Sequence, residues 1–563
     1  MQARRVSPLV AALLLGFLAW SPTVWTGGFS YDDREVLEDN PVVAGTLPLS
    51  AAFDRDYWHH RGDAGHWRPL ATLSLRLDFA MWTGAAGYHA TNVLLHLGAV
   101  LLLGLLLREL RPADERLLWP GLALFAVHPA LADSVAWISG RTSMLSAIGG
   151  LVGALGIARS RASVRASHWR AGACAGLGLA LALMGKEDGL AFAPLFVLLA
   201  ARRSRAHALA AALGSAAAVA LWLAARKVAL GVALPAAPWA PLGAAPLLER
   251  LHASGKAILE MLRIAVFPVG YAPSYDAGDL PPVGAAARVA GVLGWSLLAL
   301  ALGAGLAGLR GAAPGRRIAS GSLLLAAAAV LPHAQLVPSG EVLAPRFLYL
   351  PLLFGAPFAD ALAPRRGRGR GRAVALALLL ACVPLAWASA RTYASRASFW
   401  RAVLAASPHD ARAWHGLGMA HWEAGERAQA EEAWQRALEL RPAYSRPLSM
   451  LAAARMEAGR LDEAEPLFAR AVALGPENAV ARANYGKLLL ELHRVDEALA
   501  MYARAAQLEP GRGAIWRGLG AALSAAGDEE RARAAFQRAL ELDPADDLAR
   551  KHLSRLPAPD PPR

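Results

Sequence analysis

The chain has 563 residues, of which 55% are hydrophobic and only 18% charged, and it carries a net charge of +14. A water-soluble chain of this size has about 25% charged residues, so a wholly soluble protein is excluded. The apolar excess lies in blocks before about residue 395, which points to a multi-spanning membrane part followed by a soluble one. The arginines cluster in short loops between those blocks, as in RSRASVR (Arg159 to Arg165), RRSR (Arg202 to Arg205) and RRGRGRGR (Arg365 to Arg372). That is the pattern of cytoplasmic loops, and no recognition motif accompanies it, so a nucleic-acid partner is not expected.

In chain order, apolar blocks fall at 8–26, 90–107, 117–135, 141–158, 171–184, 190–201, 207–225, 285–309, 317–336, 346–363 and 373–391. The fifth and sixth are short. Fused through GKEDG (Gly185 to Gly189) they would form one helix of about 46 Å at 1.5 Å per residue, too long for one crossing. They read instead as a hairpin with a polar tip in a cavity. With the MQARR amino terminus inside, eleven crossings leave every arginine-rich loop on the cytoplasmic side. The segment Leu247 to Pro268 holds Glu249, Arg250, Lys256, Glu260 and Arg263, and is expected to lie in the interface as an amphipathic helix. A cleaved signal peptide is the other reading of residues 1–26. Cys174 and Cys382 each fall inside an apolar block and read as small hydrophobes.

The first outward loop, 27–87, opens on GGFSYDDREVLEDNP (Gly27 to Pro41). Its adjacent carboxylates, Asp32 and Asp33, are either an acid–base centre or a cap on the next helix, a position aspartate favours.

Beyond residue 395 the pattern changes. Pro408, Pro442, Pro476, Pro510 and Pro544 recur every 34 residues, in step with Ala430, Ala464, Ala498 and Ala532 and with Trp434, Phe468, Tyr502 and Phe536. These are tetratricopeptide repeats: four helix pairs over about 409–544, followed by a carboxy-terminal cap. The expected fold is therefore all-α, with a multi-spanning helical membrane domain at 1–395 and a tetratricopeptide α-solenoid at 396–563. By parity the repeats lie outside the membrane, in the same compartment as Asp32 and Asp33.

The outward segments also carry HWRPLATLSLRLD (His66 to Asp78), GYHATNVLLHL (Gly87 to Leu97), HPALADSVAWISGR (His128 to Arg141), GKEDG and RFLYLP (Arg346 to Pro351). Charged groups at a membrane boundary are costly, so such positions tend to be functional. In order and predicted sidedness, FSYDD, RPL, HPALADSVAWISGR, GKE and RFLYLP resemble the transmembrane and tetratricopeptide-repeat O-mannosyltransferases and their bacterial relatives, within the GT-C glycosyltransferases. The resemblance covers nearly the whole chain. It implies an integral-membrane transferase that uses a lipid-phosphate-linked sugar. One departure is Ser143, which stands where the family commonly has an acidic residue.

Moving a sugar from a polyprenyl phosphate to a protein hydroxyl needs a base, a cationic pocket for the leaving phosphate and a lateral opening for the lipid. Asp33 is expected to be the base, tuned or positioned by Asp32. Arg68, Arg141, Lys186 and Arg346 are the candidates for the phosphate, and His66, His89, His128, Glu187 and Tyr349 are further site candidates. No histidine and carboxylate spacing suggests zinc, and no cofactor is required, although a divalent cation on the aspartate pair stays open. The repeats would hold the protein acceptor or a partner. Transfer to lipid or glycan, a membrane-anchored repeat scaffold for envelope assembly, and a transporter are the alternatives.

Overall fold

The computed structural model describes residues 7–58, 65–110, 120–160, 167–232, 245–275, 285–311, 313–334, 341–362 and 369–557. Parts of the arginine-rich loops, 161–165 and 365–368 among them, lie outside the described residues. Among the described residues all regular structure is helical. The chain divides into two compact units, one ending at Ser407 and the other running from Pro408 to Arg563. The first unit thus extends past residue 395, because the Arg396–Ala406 helix folds back onto it.

Among the described residues of the first unit, five helical segments are long and apolar enough to cross a membrane: Pro8–Thr26, Ala85–Leu110, Ile138–Arg159, Arg205–Leu230 and Arg288–Leu309. Leu376–Arg391 and Arg396–Ala406 would add a sixth if taken as one span, but they meet at a bend of 113°. Several other apolar blocks form shorter helices. The block at 117–135 breaks after Val127, where Pro129 cannot continue the helix, and goes on as the short turns Pro129–Leu131 and Ala132–Val135.

Small residues set how neighbouring helices run. Gly149, Gly153 and Gly156 meet Leu181, Gly178 and Cys174, so the numbering runs in opposite senses and the Arg141–Arg159 and Ser167–Gly185 helices are antiparallel. Gly172 and Gly176 meet Ala210 and Gly214, so Ser167–Gly185 and Arg205–Leu230 run parallel. The chain must then return between them, which it does through an extended Lys186, a tight turn at Glu187–Ala191 and the Phe192–Ala201 helix. Leu247–Val266 is a separate amphipathic helix that packs through Gly255 against Gly291 and Gly294, and it is not among the apolar spans.

The second unit is a stack of four antiparallel pairs, from Ala411–Glu423 with Arg427–Leu440 to Gly513–Ala525 with Glu529–Leu542, closed by Asp547–Arg555. The repeated alanines and aromatics form its core: Ala430, Ala464, Ala498, Ala532, Trp434 and Phe468 are fully buried. A Cβ on Gly418 would lie 2.4 Å from the Trp434 indole, so only glycine lets the two helices of that pair close. Trp414 and Trp516, at the same position in two repeats, each donate an indole N–H to the carbonyl of the proline six residues earlier, at 2.9 Å.

Candidate active site

The residues following the first apolar helix form a short helix, Asp33–Leu37, with Asp32 at its N-cap position. The Asp32 side chain makes no capping hydrogen bond. Asp33 is fully buried, and each of its oxygens accepts twice. Oδ2 receives the Ser30 N–H at 2.9 Å and the Ser30 hydroxyl at 3.2 Å. Oδ1 receives the Ser139 N–H at 3.0 Å and the Ser139 hydroxyl at 2.9 Å. A carboxylate has about four acceptor positions, so Asp33 is saturated. Burial pushes its carboxyl up to about 6, against the downward pull of those bonds. Tyr31, just before the pair, has φ of 45°, a left-handed conformation that costs a bulky residue about 1–2 kcal/mol. An aromatic box holds it there: Phe399 stacks at 4.6 Å between centroids, with Trp400 at 5.6 Å and Trp137 at 5.7 Å.

From this pair a ring of side chains closes on itself. Asp32 lies within electrostatic reach of Tyr57, and the Arg68 guanidinium sits 5.8 Å from the Tyr57 ring centroid. Arg68 pairs with Glu187 at 3.0 Å, and His66 lies 3.5 Å from the same carboxylate. Burial opposes ionisation of Glu187, but Arg68, and after it His66, hold its carboxyl well below the usual range. Lys186 pairs with Asp188 at 3.0 Å and donates to the Ser143 hydroxyl at 2.9 Å. Its ammonium lies 5.8 Å from the Phe347 ring, and the Arg346 guanidinium lies 5.7 Å from the same ring. Arg346 is held by Asp133 at 3.3 Å and by Glu341, and it covers Trp137 at 5.1 Å, which leads back to Tyr31.

The ring thus brings together Asp32, His66, Arg68, Lys186, Glu187 and Arg346, with Asp33 behind them. Four other expected residues take their hydrogen-bond partners outside this ring. Arg141 is wholly buried, pairs with Asp78 at 2.6 Å and donates to the Ser74 hydroxyl and to the Ile138 and Tyr88 carbonyls. His89 bonds the Gly28 carbonyl at 3.2 Å. His128 accepts from the Ala130 N–H and reaches the Ala265 carbonyl at 3.1 Å. Tyr349 bonds His96 at 3.0 Å inside the bundle. Sequence reasoning passed over Asp133, Asp188 and Glu341, the carboxylates that hold the cations. Asp133 and Asp188 lie inside the quoted motifs, but nothing in their spacing distinguishes a partner from a bystander. Among the described residues no three histidine, cysteine, aspartate or glutamate side chains converge as a metal site.

An apolar helical unit carrying a ring of charged side chains and a separate tetratricopeptide array define an all-α, repeat-bearing protein with helices apolar enough to cross a membrane. Tetratricopeptide repeat models match residues 383–445, 415–479, 455–504 and 489–556. Among curated proteins the chain is similar to the Drosophila melanogaster Protein O-mannosyl-transferase Tmtc1, 39% identical over 145 residues, which are 25% of this chain and 17% of that protein. It is 36% identical to Protein O-mannosyl-transferase Tmtc2 of the same organism over 140 residues, 24% and 15% of the two chains. To human Protein O-mannosyl-transferase TMTC4 it is 31% identical over 174 residues, 27% and 23%. The match spans less than a quarter of each relative's length. The resemblance to the membrane-embedded, repeat-bearing O-mannosyl-transferases therefore stands on these relatives together with the repeats. Solved structures similar to the chain include the repeat protein YrrB, with a TM-score of 0.24 and 22% identity over 31% of this chain and 87% of that one. The Thermus thermophilus repeat protein TTC0263 gives 0.26 and 22%, over 32% and 94%.

Proposed function

We propose that this protein is an integral-membrane glycosyltransferase that moves a sugar, mannose by resemblance, from a polyprenyl-phosphate donor to a protein hydroxyl on the outer side of the membrane. One observation carries this reading: a carboxylate on the loop after the first apolar helix shares a closed ring with three cations, each held in readiness by carboxylates. Because Asp33 has no acceptor position left, the base is Asp32, and Asp33 is a positioning residue that fixes the loop beneath it. As Asp32 takes the acceptor's proton, the hydroxyl oxygen bonds to the anomeric carbon and the bond from that carbon to the phosphate oxygen breaks. The configuration inverts and polyprenyl phosphate leaves. Arg68, Lys186 and Arg346 take up the phosphate charge, exchanging their carboxylate partners for it. The repeats hold the acceptor protein.

Purified full-length protein incubated with radiolabelled polyprenyl-phosphate mannose and an acceptor protein tests the reading. Label should appear on the acceptor and be released by alkaline β-elimination, as expected for an O-linked sugar. An acceptor that stays unlabelled across polyprenyl chain lengths, while the donor also stays intact, would overturn it.

A further inference from the structure

Arg226 lies on the Arg205–Leu230 helix, four residues from its end, and its side chain is fully buried. One nitrogen donates to the Gly65 carbonyl, whereas Nε and Nη1 are buried with no acceptor among the described residues. The guanidinium lies 5.2 Å from the Trp222 ring centroid. Its charged neighbours are Glu187, Arg68 and Asp56, so it stands beside the ring on the Arg68 side. A buried arginine with two unused donors is costly to the empty protein unless an anion completes it.

Below it runs an apolar groove of about 500 Å³ between the Phe192–Ala201 and Arg205–Leu230 helices. Pro194 and Val197 form one wall, and Ala216, Val219 and Leu223 the other, with Ser215 the sole hydroxyl in the lining. Positions 212, 216, 219 and 223 advance by four, three and four residues, and the next step along the same helix face is 226. Arg226 therefore falls on the helix face that lines the groove, one step beyond its last lining residue.

We propose that this groove seats the polyprenyl chain of the donor and that Arg226 joins Arg68, Lys186 and Arg346 in receiving its phosphate. The inference rests on the lipid-phosphate donor proposed above and gives that donor its path. A branched hydrocarbon chain fits an apolar groove along a span, and a phosphate fits two unused donor nitrogens at its end. The chain occupies the Val197 and Val219 level and the sugar projects into the ring toward Asp32.

Full-length protein, assayed with a long-chain polyprenyl-phosphate mannose and with a water-soluble short-chain analogue, tests this. Ala216→Phe, which fills the groove away from every charge, should raise KM for the long-chain donor about tenfold and leave the short-chain KM unchanged. Arg226→Gln should raise KM for both donors about tenfold or more, as expected for loss of a charge-assisted contact, and Arg226→Lys should recover part of it. Unchanged KM values in Ala216→Phe and in folded Arg226→Gln, or equal weakening of both donors by Ala216→Phe, would overturn the groove and leave the transferase reading intact. A wild-type protein that uses neither donor and binds no sugar-free polyprenyl phosphate would overturn the transferase reading itself. If Arg226→Gln does not fold, the Ala216→Phe comparison decides alone.

Discussion

Ser139 gives both its backbone N–H and its hydroxyl to one oxygen of Asp33, a residue 106 positions earlier. That double contact ties the loop after the first apolar helix to the turn entering the Arg141–Arg159 helix. Ser139→Ala deletes the hydroxyl and leaves the N–H, and the charged acceptor should make the loss cost about 2 kcal/mol. Denaturation of the purified protein in detergent would show it as a lower unfolding midpoint.

Asp33 should also leave a mark on the pH dependence of stability. Its carboxyl is raised from 3.8 to about 6 on folding, so between those values the folded protein binds more protons than the unfolded chain. Stability should therefore fall as pH rises from about 4 to about 6, by about 3 kcal/mol in all for this one group. Asp33→Asn cannot titrate, so the difference between wild-type and variant curves should carry this slope and flatten above about pH 7. Parallel curves through the window would show that Asp33 is not the titrating group.

Asp32→Asn separates a base from a cap. Transfer should drop by about 10²- to 10⁴-fold, the range for a positioned acid–base group. Stability should change little, because the Asp32 side chain makes no capping hydrogen bond for the change to remove. Full activity in the Asp32→Asn protein would send the search for the base elsewhere.

Membrane sidedness is open to labelling. In a background with Cys174 and Cys382 replaced by alanine, Asp63→Cys and Ala443→Cys should react with an impermeant thiol reagent from outside, and Gly369→Cys should not. Outside labelling at position 369 would contradict eleven crossings and the placement of the site and the repeats in one compartment.

Ending the chain after Ser407, where the compact units divide, should separate binding from chemistry. Transfer to a short peptide at high concentration should persist, and transfer to a whole protein should fall. Loss of both in a folded membrane unit would make the repeats part of the chemistry.

The two units were legible in the sequence to different depths. The repeats could be read position by position, because each buried alanine and aromatic recurs at a fixed interval and the packing is nearest-neighbour. Apolar length located the long apolar helices, and the polar GKEDG tip marked the turn at Lys186, but the break at Pro129 was not legible, since hydropathy alone joins 117–135 into one block. In the site, the residue types were readable and their partners were not. Arg141 and Arg346 both occur in polar motifs at an apolar boundary, yet one is sealed by Asp78 inside the bundle and the other faces Glu341 in the ring. Which aspartate is saturated depends on Ser139, a contact no local pattern encodes. Arg226 falls just past the 207–225 apolar block and gave no signal beyond its charge.

The 113° bend before Arg396 turns Phe399 and Trp400 back onto Tyr31. The last helix ahead of the repeats is thus also a wall of the site, and the boundary at which this chain can be exchanged with another is not where the polypeptide leaves its final apolar block. A chimera joined at residue 395 would inherit foreign side chains against Tyr31 and lose the box that sets the backbone next to Asp32. One joined after Ser407 would keep the box intact. Recombination among such proteins should therefore transmit the helix with its membrane unit and leave only the repeats as exchangeable cargo.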